Sequence, residues 1–197
     1  MVLGIAGLVA ACGGSPKTEP SPAARADAGP LSFAVPAGWT LTPVGHQKHY
    51  STVLAFLTSP GASASESCGP AYVPGMGSGC ADTYTTPAAF AVIRLEEWQL
   101  PARAPDGAVA EITAEIADGA QATTVAGQPA AYHAAYADVD APTGGATVAW
   151  WVAGPADHDG RAFAIVATTG GQDPGTMASV QAIVDSLQIA ASDPPAP

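Results

Sequence analysis

The run Leu31-Ser32-Phe33-Ala34-Val35-Pro36-Ala37-Gly38-Trp39-Thr40-Leu41 reads as strand, turn, strand. Apolar and small residues alternate from Leu31 to Val35, the period of a half-buried strand. Pro36 presets φ for a turn, and Gly38 supplies the positive φ that a tight turn needs. Trp39 then brings a large ring for the core as the next strand begins. Working outward, residues 50–58 are β-branched and apolar enough for a third strand. A fourth, over 88–96, sets Phe90, Val92 and Arg94 on one face and Ala91, Ile93 and Leu95 on the other. Between them, residues 59–87 form a long Gly/Ser/Pro-rich insertion.

Residues 106–118 carry Val109, Ile112 and Ile116 at helical spacing, with Asp106 placed to cap and Gly119 to stop the helix, a strand being the alternative. Hairpins follow, one around Ala126-Gly127-Gln128-Pro129 and one around residues 154–160. A last helix, capped by Asp173 with Pro174 in its first turn, has one apolar face of Met177, Val180, Ile183, Val184 and Leu187. Leu187-Gln188-Ile189 closes the domain as a short strand. This order predicts an α+β fold, an antiparallel sheet flanked by helices.

Three motifs carry a family resemblance. Phe33-Ala34-Val35-Pro36-Ala37-Gly38-Trp39 resembles the opening of PsbP-like domains. Ala126-Gly127-Gln128-Pro129-Ala130 is similar to their central turn. Ile183-Val184-Asp185-Ser186-Leu187-Gln188-Ile189 resembles their close. The chain thus resembles the PsbP-like (LpqN-type) bacterial lipoprotein family. The resemblance implies an α/β/α sandwich and a binding or accessory role, with no shared catalytic set. The insertion over 59–87 departs from the pattern.

The apolar run over residues 2–11 ends in Val9-Ala10-Ala11-Cys12, which reads as a lipobox. Residues 1–11 are then a signal peptide, too short to span a bilayer, although no Lys or Arg precedes the apolar run. Cys12 is the lipidated residue, and 12–30 a disordered tether. Residues 31–190 are expected as one domain and 191–197 as a loose tail. The address is extracytoplasmic, lipid-anchored to a bacterial membrane.

The chain has 197 residues, a hydrophobic fraction of 48% and a net charge of −11 with only six Lys and Arg. That balance excludes nucleic acid, whose phosphates need clustered cations, and docking on anionic lipid by charge. After Cys12 the remaining cysteines are Cys68 and Cys80. An even pair in an oxidising compartment forms a disulfide; a redox or metal pair lacks the tight C-x-x-C spacing. The bond would staple the 59–87 insertion, with Tyr72, Met76 and Tyr84 as its contact residues.

No nucleophile elbow, His-Glu-x-x-His, P-loop or dinucleotide fingerprint is present. His46-Gln47-Lys48-His49 offers two imidazoles, but residues three apart on a strand face opposite sides. Asp157-His158-Asp159-Gly160 has the composition of a turn and lacks a calcium loop's ligand pattern. Trp150 and Trp151 point to opposite faces of their strand; one enters the core, and Trp151 is a candidate binding residue, with Glu96, Glu97 and Trp98 near the same cleft. The expectation is a non-catalytic, monomeric envelope module without cofactor. It would present its stapled loop to an envelope protein or small ligand. The competing reading is a metal-dependent hydrolase built from scattered His46, His49, His133 and aspartates.

Overall fold

The computed structural model describes residues 24–47, 51–68, 80–99, 107–138, 140–155, 160–171 and 174–191. Its centre is a seven-stranded antiparallel sheet. The strands are β3 (Thr40–Gln47), β4 (Ser51–Thr58), β7 (Phe90–Trp98), β8 (Gln121–Val125), β9 (Gln128–His133), β10 (Ala146–Ala153) and β11 (Ala162–Gly170), in the order β3-β4-β7-β11-β10-β9-β8. β1 (Ala24–Ala28), β2 (Leu31–Val35) and β12 (Gln188–Ile189) form a small second sheet, and β5 (Ser63–Cys68) pairs with β6 (Cys80–Thr85). The helices are α1 (Gly107–Ala117) and α2 (Pro174–Asp185). No helix among the described residues is long and apolar enough to cross a membrane.

Strand alternation sorts the two faces. Ile93, Leu95, Trp150, Val152, Phe163 and Ile165 enter the main core with Val180, Ile183 and Val184 of α2 and Leu31 and Phe33 of β2. The opposite face has two separate covers. At one end α1 sets Ala108 and Ile112 against Ala131, Ala153 and Ala162. At the other, the β5–β6 hairpin sets Ala64 and Tyr84 against Val53, Phe56, Phe90 and Val92.

The expected helix-flanked α+β sandwich is therefore corrected. The fold is β-rich: among the described residues two short helices lie on it, one per face, and much of the remaining cover is itself β-structure. The Gly/Ser/Pro-rich insertion between β4 and β7 holds a hairpin of polar strands, Ser-Ala-Ser-Glu-Ser-Cys against Cys-Ala-Asp-Thr-Tyr-Thr. Its small polar residues hide a period-two pattern in which alternate residues turn inward. The tether expected over 12–30 also ends early, because Ala24–Ala28 pairs along the whole of β2. Within α1 the buried positions are Ala108 and Ile112, while Val109 is 46% exposed. Trp39 is only partly buried, at the margin of the main core.

Two glycines are fixed by the fold. Gly38 holds φ at 81° in the turn after β2. At Gly170 a Cβ would stand 2.0 Å from the Phe90 ring, directly across the β7–β11 pair.

Candidate functional site

Between α1 and the β5–β6 hairpin runs a strip of charge on an otherwise apolar face. Arg94 and Glu96 are two apart on β7 and so project from the same face. Arg94 Nε lies 2.6 Å from Glu96 Oε1, its Nη1 3.3 Å from Asp82 Oδ2 on β6, and its Nη2 2.8 Å from Asp138 Oδ2 in the segment after β9. The Arg94 side chain is 9% exposed, and those of Asp82, Glu96 and Asp138 are 1%, 5% and 6% exposed. One guanidinium thus joins three buried carboxylates from three separate stretches of chain. Its planar fork suits the task, since several donors leave one cation in different directions.

Aromatic hydroxyls and an indole complete the strip. Tyr84 donates its hydroxyl to Asp82 Oδ2 at 3.0 Å, and Trp98 donates Nε1–H to Glu96 Oε2 at 2.9 Å. Burial and the Asp82 charge push the Tyr84 phenol well above the usual tyrosine range. Burial, then Asp138 and Glu96, raise Tyr136 as well. Burial works against the Arg94 charge, but Glu96 and Asp138 outweigh it and hold the guanidinium protonated. Trp98 packs on Trp151 with ring centres 5.1 Å apart, and Tyr136 on Trp151 at 6.5 Å. The Trp151 Nε1–H is buried with no partner among the described residues.

The strip opens into a cleft of about 370 Å³, lined by Cys80, Asp82, Tyr84 and Thr86 on the hairpin side and by Asp140 and Thr143 opposite. Asp82 and Tyr84 belong to both the ion network and the cleft wall. The opposite wall is shaped by local bonds: the Asp140 amide donates to Asp138 Oδ1 at 3.0 Å, and the Ala141 amide to the Asp138 carbonyl. Among the described residues no Lys, Arg or His lines the cleft. A second cleft of similar volume, between β2 and α2, is mostly apolar and has no titratable side chain among the described residues that line it.

The candidates read from sequence fall unevenly. Cys68 and Cys80 are disulfide-bonded and directly opposed at the end of the hairpin where residues 69–79 connect its two strands. Tyr84 lines the cleft, whereas Trp151 is half-buried against Trp98 and Tyr136, and Trp98 in turn joins Glu96. Glu97 faces the other way and pairs with Arg161. Cys12, His49, Tyr72, Met76 and residues 157–159 lie outside the described residues. His46 contacts Glu66 at 2.9 Å, whereas His133 contacts Glu115 at 2.9 Å. Five strand spacings separate β3 from β9, about 24 Å at roughly 4.8 Å each, so His46 and His133 cannot share an ion.

Arg94, Asp82 and Asp138 were missed by the reading from sequence. The available signal was Arg94 followed by Glu96, two charges on one face of a strand that otherwise reads as core.

No family model and no curated protein matches the chain. Among solved structures it is similar to a protein from Bacteroides thetaiotaomicron, with TM-score 0.43 and 10% identity over 85% of this chain. The chain spans 48% of that protein's length. It is also similar to LpqN, described as involved in cell envelope biogenesis of Mycobacterium tuberculosis, with TM-score 0.44, 15% identity and 87% of each chain covered. These likenesses are distant. With identities and TM-scores this low, they assign neither family nor function, and PsbP-like membership is not established by them.

Proposed function

We propose that this chain is a non-catalytic binding module of the cell envelope, anchored through a lipidated Cys12. In this reading its cleft beside β6 receives an extended, basic segment of a second envelope protein. The observation that carries the reading is the cleft itself, acidic and hydroxyl-lined, set along β6 and floored by the Arg94 network. Among the described residues β6 pairs only with β5, so its outer backbone offers a template for an added strand. Asp140, exposed on the opposite wall, favours a positive side chain on that strand, and the chain's net charge of −11 steers it in. The Cys68–Cys80 bond holds the hairpin in place beforehand, which reduces the ordering entropy of binding.

The test uses short extended peptides, one centred on Lys and one on Glu, titrated into ¹⁵N-labelled protein. The Lys peptide should shift the amides of Ala81, Thr83, Thr85 and Thr143, with an affinity that falls as salt rises. Equal affinity for the two peptides, or shifts confined to the β2–α2 side, would overturn the reading.

A further inference from the structure

Away from the Arg94 network, β3, β5 and β6 bring four side chains of metal-ligating type to one point. A ligating atom from each of His46, Glu66, Cys68 and Cys80 lies within 4.8 Å of all the others. His46 Nδ1 is 2.9 Å from Glu66 Oε2 and 3.3 Å from Cys68 Sγ. The Glu66 side chain is fully buried, while His46 is 41% exposed and leaves the corner open to solvent on one side.

Two sulfurs, one imidazole nitrogen and one carboxylate oxygen are ligands that tetrahedral zinc accepts. Zinc bonds of about 2.0 Å to nitrogen and 2.3 Å to sulfur place neighbouring ligands roughly 3.3–3.8 Å apart. The His46 contacts to Glu66 and Cys68 stand within a few tenths of an ångström of that spacing. While Cys68 and Cys80 are bonded to each other they offer no thiolate, and thiolate is the ligand.

We propose that reducing the Cys68–Cys80 bond turns this corner into a zinc site. The hairpin then has two interchangeable clasps, a disulfide when oxidised and a metal when reduced. A dithiol reductant supplies the two electrons. Its thiolate attacks one cysteine sulfur, its second thiol resolves the mixed disulfide, and the products are two protein thiols and the reductant's own disulfide. Zn²⁺ then binds both sulfurs and displaces the two thiol protons to solvent. His46 joins as neutral imidazole through Nδ1, and Glu66 as carboxylate. The thiols stay together after reduction because the ladder from Ser63↔Thr85 to Cys68↔Cys80 does not depend on the bond. Ala64 and Tyr84 also keep the hairpin packed on Phe56.

The test compares oxidised and dithiol-reduced full chain, using Co²⁺ as a spectroscopic probe and then Zn²⁺ in competition with a chelator. The reduced chain should bind one Co²⁺ with thiolate-to-cobalt charge-transfer absorption and tetrahedral visible bands, and Zn²⁺ should displace it. The oxidised chain should show neither. His46→Gln and Glu66→Gln should each weaken zinc binding by about tenfold or more, with amide spectra reporting that the reduced chains remain folded. Three results would overturn the proposal. The reduced chain could fail to bind, the oxidised chain could bind equally, or affinity could be unchanged in both variants. The last would mark capture by thiols alone, folded or unfolded.

Discussion

Replacing Arg94 by Met should be among the most damaging single changes in the chain. Its guanidinium neutralises Glu96, Asp138 and Asp82 at 2.6, 2.8 and 3.3 Å, with every side chain in the group 9% exposed or less. At an effective dielectric of about 20, a unit pair 4 Å apart is worth about 4 kcal/mol. Much of that is offset by desolvation, so the whole interaction is not recovered as stability. Breaking a buried pair from one side nevertheless costs about 3–5 kcal/mol, because the remaining charge stays buried. That is a large part of the roughly 5–15 kcal/mol that holds a domain folded. Without Arg94 the clustered carboxylates also repel one another across a dry interior. Urea midpoints at pH 7, with unchanged m, would measure the loss. Adding Asp82→Asn, Glu96→Gln and Asp138→Asn to Arg94→Met should restore most of the stability at pH 7. A loss below about 1 kcal/mol at pH 7, or no recovery when the three carboxylates are replaced as well, would refute the reasoning.

Replacing Cys68 and Cys80 together by Ser removes a cross-link of sequence separation 12 and should lower stability by about 3 kcal/mol in chemical denaturation. Tyr84 and Tyr136 are both held in the neutral form by burial, with Asp82 and Asp138 adding to the effect. Their contribution to stability should thus be complete below pH 10 and decline above it; tyrosinate absorbance should show a late-ionising component, part of which Tyr84→Phe removes. Gly170→Ala drives a methyl into the Phe90 ring and should destabilise by about 1–3 kcal/mol, with Phe90→Ala in the same chain relieving the clash but not restoring the lost ring.

Much of the fold was legible because burial writes a period into sequence. The alternation of Phe90, Val92 and Arg94 against Ala91, Ile93 and Leu95 reproduces the faces of β7, and the apolar stripe of Val180, Ile183, Val184 and Leu187 reproduces the packing of α2. What escaped was structure made of small polar residues. β1 and the β5–β6 hairpin bring few apolar residues of their own, Ala28 in one and Ala64 and Tyr84 in the other, so their sequences read as linker. Expecting helical layers was a related error, since those cryptic strands cover surface that the prediction gave to helices. The site was legible only in fragments. Cys68, Cys80, Tyr84 and Trp151 stood out by residue type, whereas Asp82 and Asp138 are ordinary turn-forming residues until the fold sets them on Arg94.

The central claim, that the cleft beside β6 is where a partner docks, is tested most directly by site-specific photo-crosslinking in intact cells. The photoreactive residue is placed at Thr143 on the cleft wall, and at Glu111 on the exposed side of α1 as the comparison. The account predicts one dominant protein adduct from Thr143, lost when Asp140→Lys reverses the cleft charge, and none of it from Glu111. The same adducts from both positions, or an adduct indifferent to Asp140→Lys, would contradict it.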